Sequence, residues 1–261
     1  MAEGIIKPFG GRSKRRWVNR RYRLLLNADT APSDADYANV ILRVNAEGTH
    51  GAQDAIDHSD SAHTLVYGTA AVQVTNAQEK FGDTSIICPN AAGGSLGVAN
   101  HGDFDVNAQS WTYEMFVYPL DVTETGMLAG QWHSALATHR NWILFSQATV
   151  LSVIVQLRSA GTTNTQSTAI GALTQDQWQH VALQYEAGWI CIWVDGVVKK
   201  YVDTGVAALR APQVPFEMGD SANNSGFPLN GYIDDVRYTV GAVRYTMNTA
   251  FTPPTETFPT Q

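Results

Sequence analysis

Trp189-Ile190-Cys191-Ile192-Trp193-Val194-Asp195-Gly196-Val197-Val198-Lys199-Lys200-Tyr201-Val202 decides how this chain folds. Two β-rich runs flank Asp-Gly, a pair suited to a two-residue turn because both positions need positive φ, which Gly takes freely and Asp tolerates. The stretch predicts a hairpin. Along its first strand Ile190, Ile192 and Val194 alternate with Trp189, Cys191 and Trp193. Both faces are therefore apolar, and a central strand covered on each side is expected.

The same pattern continues outward. From Tyr37 onward Val, Ile and Thr recur in short runs broken by Gly, Asn, Asp and Pro, and no helical period lasts three turns. Strands are predicted over residues 40–44, 64–67, 71–75, 85–88, 111–118, 142–146, 151–157, 180–185, 189–194, 197–202, 216–218 and 231–238. So many short strands in one body imply two facing sheets.

Composition narrows the class. With 44% hydrophobic and only 16% charged residues among 261, the chain can bury a sizeable core and is not disordered throughout. No window approaches the roughly 18 apolar residues of a membrane-spanning helix, and a soluble protein is expected. Met1 to Phe9 lacks the apolar stretch of a secretory signal, so Sec-type export is not expected. Cys88 and Cys191 stand far apart with no Cys-x-x-Cys or Cys/His cluster, which predicts buried free thiols rather than a disulfide framework or a zinc site.

The net charge of −7 hides an asymmetry: residues 1–25 carry eight cations and one acid, for +7, whereas the remainder sums to −14. A basic arm is attached to an acidic body. The arm has Gly4, Pro8, Gly10 and Gly11 and one large anchor, Trp17, so it reads as irregular and unable to fold alone. Arg12, Lys14, Arg15, Arg16, Trp17, Arg20, Arg21 and Arg23 are the expected docking residues, with 26–36 as linker and 37–261 as the folded body. A short basic arm on an acidic body is a weak signal for nucleic acid, and a protein surface is the expected partner.

Four segments then fall in a familiar order: Phe81-Gly82-Asp83-Thr84-Ser85-Ile86, Trp111 to Pro119, Trp178-Gln179-His180-Val181-Ala182-Leu183 leading into Trp193-Val194-Asp195-Gly196, and Gly231 to Tyr238. They resemble the laminin-G-like branch of the concanavalin A-like lectin/glucanase superfamily. The ending, Val243-Arg244-Tyr245-Thr246 and then Phe251-Thr252-Pro253-Pro254-Thr255, is similar to the version found in bacteriophage virion proteins. The resemblance implies an all-β, concanavalin A-like jelly-roll β-sandwich, here with a basic extended N-terminal arm that has no counterpart in the common domain.

Some members of that superfamily hydrolyse β-glucans with a Glu-x-Asp-x-Glu strand, whose alternation puts three carboxylates on one face. None of the eight glutamates here has Asp two residues on, so no enzyme is expected. Glu114 stands alone in its strand and is expected to be structural or solvated rather than catalytic. His50, His58 and His63 lie among Asp54, Asp57 and Asp60 without zinc-site spacing and read as a solvated loop. His180 is expected to be half-buried, held by a backbone hydrogen bond.

Two binding sites remain as expectations. The resemblance implies a structural calcium near the last strand, with Asp234, Asp235, Asn45 and Glu47 as ligands; pairing with Arg237 or capping of a backbone is the stronger alternative for the two aspartates. Alternation would point one of the two outward and the other inward. A sugar site would use an exposed ring with polar neighbours, and Trp132, His133, Arg140, Asn223, Asn224 and Phe227 have that composition, whereas Trp142 reads as core.

These readings together lead to a non-enzymatic phage virion protein, foremost a capsid decoration protein docked by its arm. It would be made in the host cytoplasm and carried on the particle surface as many copies or a homo-oligomer. A tail-associated adhesin holding host glycan, a glycan-degrading enzyme and a cellular lectin-like protein are the alternatives. Neither nucleic acid nor membrane is an expected partner.

Overall fold

A computed structural model of the protein describes residues 34–156, 163–221 and 227–259. Among these residues fifteen strands form: β1 (Val40–Val44), β2 (Leu65–Tyr67), β3 (Gln73–Thr75), β4 (Ser85–Cys88), β5 (Leu96–Val98), β6 (Trp111–Pro119), β7 (Gly126–Gly130), β8 (Trp142–Gln147), β9 (Val150–Gln156), β10 (Thr163–Ser167), β11 (Gln179–Glu186), β12 (Trp189–Val194), β13 (Val197–Asp203), β14 (Phe216–Met218) and β15 (Gly231–Val240). They build two sheets. One runs β13-β12-β11-β6-β15-β4-β3, with β1 also paired to β15, and the other runs β10-β9-β8-β7-β14-β5-β2. Every pairing is antiparallel.

The core lies between the sheets, where alternation sends one side of each strand inward. From β6 come Trp111, Tyr113, Met115 and Val117, from β11 Val181, Leu183 and Tyr185, and from the facing sheet Trp142, Leu144, Phe216 and Met218. Trp111 stacks on Trp142 with ring centroids 4.9 Å apart, and Trp142 Nε1 donates to Tyr238 Oη at 3.0 Å. Trp142 is therefore core, and its polar atom is paired as burial demands.

The Asp-Gly hairpin forms as read, with φ of +49° at Asp195 and +72° at Gly196. A Cβ on Gly196 would sit 1.9 Å from the Phe251 carbonyl oxygen, so both the turn and a close approach of the C-terminal segment require glycine. Strand β12 lies one position from the sheet edge rather than at its centre. It is covered on both faces all the same: Ile190, Ile192 and Val194 enter the core, while Cys191 and Trp193 are buried with Tyr245, Met247 and Phe251 of the C-terminal segment.

That segment is the decisive feature for the site. It crosses the outer face of the eight-stranded sheet, the face turned away from the core. Tyr245 and Phe251 stack at 3.6 Å, Trp193 Nε1 donates to Thr249 O at 2.9 Å, and Phe258 N donates to Asp235 Oδ2 at 2.7 Å. Both cysteines are buried free thiols, and burial pushes Cys88 up to about 12 and Cys191 up to about 11, far from the reactive thiolate.

Candidate functional site

Beneath the C-terminal segment lies a fully covered charge network. Glu114 projects from β6 onto the outer face, beside His180 of β11 and Arg237 of β15, because these strands are neighbours in register. Glu114 Oε1 accepts from Arg237 Nε at 2.9 Å and lies 2.8 Å from its Nη2. Glu114 Oε2 accepts from the Tyr245 hydroxyl at 2.5 Å and lies 3.1 Å from His180 Nε2. Arg237 Nη1 reaches Asp34 Oδ2 at 3.0 Å, and Arg244 binds the other Asp34 oxygen. Asp34 and Asp36, in the expected linker, are thus bound to the sandwich, since Arg244 also donates to Asp36 O at 3.4 Å.

This geometry fixes the chemistry of Glu114. Burial alone would favour the neutral acid, but Arg237, His180 and Tyr245 outweigh it and hold the carboxyl at about 2. It is an ionised acceptor with its lone pairs used, not a proton donor. His180 is fully buried rather than half-buried, and its ring faces a carboxylate rather than a backbone group. The closing residue Tyr245 has its hydroxyl pushed upward by burial and by the adjacent Glu114 charge.

Asp234 and Asp235 depart from simple alternation, and both are buried on the outer-face side. The register of β15 against β6 shifts between Asp234 and Arg237, and Asp235 takes φ of +44°, so a bulge lets consecutive side chains share a face. The bulge sits where β15 exchanges its partner β4 for β1. Asp234 accepts N–H groups from Lys80 at 3.0 Å, Phe81 at 3.1 Å and Asp235 at 2.7 Å. Asp235 lies 2.8 Å from Arg43 Nη1. Burial raises Asp234 to about 7 and, despite Arg43, Asp235 to about 6.

The four residues implied for calcium do not fit the ion as placed. Asp234 and Asp235 face N–H donors and a guanidinium, where a hard cation needs converging oxygens. Asn45 Oδ1 is shared by Glu47 N at 3.3 Å and His58 Nε2 at 3.0 Å, while Glu47 Oε1 accepts Asp83 N at 3.1 Å. The aspartates instead cap backbone and pair with Arg43; the partner of Asp235 is that arginine rather than Arg237.

On the outer face of the other sheet, four of the expected sugar-site residues do come together. Trp132 packs with Met127 and Ile143, flanked by Phe145 and Phe227. The Arg140 guanidinium lies 4.9 Å from the Trp132 ring centroid and is anchored to the carbonyls of His133 and Ser134. Trp132 is only 7% exposed, not the exposed ring that a sugar site would use. The reason is local: the 131–142 segment folds back and places Arg140 over the ring. Asn223 and Asn224 lie outside the described residues, as do Arg12, Lys14, Arg15, Arg16, Trp17, Arg20, Arg21 and Arg23 of the arm.

Sequence reasoning missed Asp34, Arg43 and Arg244. A usable signal existed, since an arginine inside an apolar strand such as Val40–Val44 is almost never buried without a carboxylate partner.

Two packed antiparallel sheets with a sealed outer face define a lectin-like sandwich. Residues 92–242 match the Laminin_G_3 family, described as the concanavalin A-like lectin/glucanases superfamily, and the chain belongs to it. No curated protein matches the chain by sequence. Among solved structures, the binding domain of Paraclostridial Mosquitocidal Protein 1 is similar with a TM-score of 0.61 at 13% identity, over 80% of this chain and 50% of that one. The botulinum neurotoxin serotype G binding domain is similar with a TM-score of 0.61 at 11% identity, over 79% and 49%. The serotype D ligand binding domain, solved in complex with N-acetylneuraminic acid, gives a TM-score of 0.59 at 11% identity, over 80% and 49%. At these identities the likeness is one of fold, and this chain spans about half the length of each.

Proposed function

We propose that this chain is a non-enzymatic structural protein of a bacteriophage virion, a capsid decoration protein that docks through residues 1–25 and displays the sandwich outward. The single observation that carries the non-enzymatic part is Glu114. Buried on the outer face of the eight-stranded sheet, it is ionised and enclosed by Arg237, His180 and Tyr245, and so holds no proton to give a leaving group. A binding or display role remains for the fold.

The docking part rests on the charge separation, +7 in the first 25 residues against −14 elsewhere. Opposite charge steers an arm toward an acidic assembly while the acidic body keeps away from it. The virion assignment is supported by the closing segment, whose likeness to phage virion proteins falls on the residues that seal the outer face. Immunogold labelling of particles tests it: label distributed over the head supports decoration, and label confined to the tail tip supports an adhesin instead.

The adhesin reading has one observation of its own, the Trp132, Arg140 and Phe227 cluster on the seven-stranded sheet. A sugar would have to displace Arg140 to reach the Trp132 face.

A further inference from the structure

Away from both outer faces, His63, His101 and Asp103 meet at one end of the sandwich. One ligand atom from each lies within 4.8 Å of the others. His63 precedes β2, and the other two residues belong to the 3-10 turn region at Gly102–Phe104 between β5 and β6. We propose that these three side chains form a binding site for a divalent transition-metal ion of the zinc class.

The donor set suits that class: two imidazoles and one carboxylate select zinc, cobalt or nickel over calcium or magnesium, which take oxygen. Asp103 Oδ2 lies 3.1 Å from His63 Nε2, and Asp103 Oδ1 lies 3.2 Å from His101 Nδ1. Metal–ligand bonds of about 2.0–2.2 Å in a tetrahedron separate the ligands by about 3.3–3.5 Å; each imidazole nitrogen is near that spacing from one Asp103 oxygen, a different one for each, and the set, now within 4.8 Å, closes onto one ion by a small adjustment.

His63 is the innermost of the three. Its side chain is only 7% exposed, and its buried Nε2 stands 3.1 Å from Asp103 Oδ2, another member of the set. A divalent ion would take its place between that imidazole and that carboxylate, shielded from water on the His63 side. The surroundings fix the two inner ligands. Ser61 Oγ donates to Asp103 Oδ2 at 2.9 Å, Asp57 Oδ2 accepts His63 N at 2.8 Å, and the His63 ring packs 5.3 Å from Phe104. Supports of this kind orient metal ligands.

The third ligand is the one free to adjust. His101 is 56% exposed, and its Nδ1 accepts Asp103 N at 3.3 Å, so closing the set exchanges one weak, solvent-facing bond for the metal. The fourth position opens to water. A bound ion would tie the segment before β2 to the segment before β6, pinning a three-residue strand that ends its sheet.

The test uses the full chain, stripped of metal with EDTA and titrated with Zn2+ and with Co2+. The expected results are one equivalent bound per chain, visible ligand-field bands of four-coordinate Co2+, a rise in Tm with Zn2+, and no rise with Ca2+ or Mg2+. His101→Ala, at an exposed ring, should keep the metal-free Tm and weaken Zn2+ binding at least tenfold, and Asp103→Asn should do the same. His139→Ala, at a surface histidine elsewhere, should leave binding intact. Stoichiometric binding absent in the full chain, or equal affinity in His101→Ala, would overturn the proposal.

Discussion

One oxygen of Glu114, Oε1, meets two nitrogens of Arg237, Nε at 2.9 Å and Nη2 at 2.8 Å, in a space closed by Tyr245. A carboxylate so enclosed stays ionised because Arg237 first, and then His180 and Tyr245, lie beside it. Removing the charge leaves Arg237 with Asp34 as its remaining carboxylate, and breaking one side of a buried pair costs about 3–5 kcal/mol. Glu114→Gln should therefore destabilise the fold by about 3 kcal/mol in urea denaturation. An unchanged midpoint would show the network to be dispensable.

The C-terminal segment should behave as part of the core. Phe251 stacks on Tyr245 and covers Trp193. Phe251→Ala, at a half-buried ring, should cost about 2 kcal/mol, less than the roughly 3–5 kcal/mol of a fully buried aromatic, and shift tryptophan emission to the red as water reaches Trp193.

The buried aspartates give a pH dependence of definite sign. Asp234 is raised to about 7 in the fold against about 4 when unfolded, so the folded chain holds its proton where the unfolded chain does not. The resulting penalty is absent below about pH 4, grows up to about pH 7 and is constant above. Glu114, held at about 2, acts oppositely: its contribution is complete above about pH 4 and lost as pH falls toward 2. Tm should fall between about pH 5 and about pH 8, and Asp234→Asn should flatten that slope. A variant with the wild-type slope would remove Asp234 as its source.

Much of this architecture was legible because its signals are local. The Asp195-Gly196 turn and the alternation along β6, β11 and β12 depend on residues close in sequence. Strands β5, β7 and β10 were not anticipated, for physical reasons: Gly97 interrupts β5, Gly126 to Gly130 holds no β-branched residue, and Thr163 to Ser167 is polar throughout. Such strands form because neighbours pair with them. The site was less legible still. The union of Asp34 with Arg237, and of His63 with His101, depends on chain segments brought together only by the sheets. At Asp235 one bulge residue reversed an alternation argument that held elsewhere.

Arg140 should shield Trp132. Arg140→Ala is expected to increase acrylamide quenching of tryptophan emission, an increase that disappears when Trp132→Phe is added. If host glycan binds this cluster, a polysaccharide array should also show stronger binding by Arg140→Ala than by the wild type, and none by Trp132→Ala. Quenching unaffected by Arg140→Ala would mean the ring is sealed by its apolar neighbours alone.

The proposed division between a cationic docking leader and a displayed sandwich is tested most directly by co-sedimentation with particles lacking the endogenous protein, comparing the full chain with one that begins at residue 26. The account predicts that the shortened chain keeps the cooperative unfolding transition of the sandwich and stays in the supernatant. Particle binding equal to that of the full chain would contradict it.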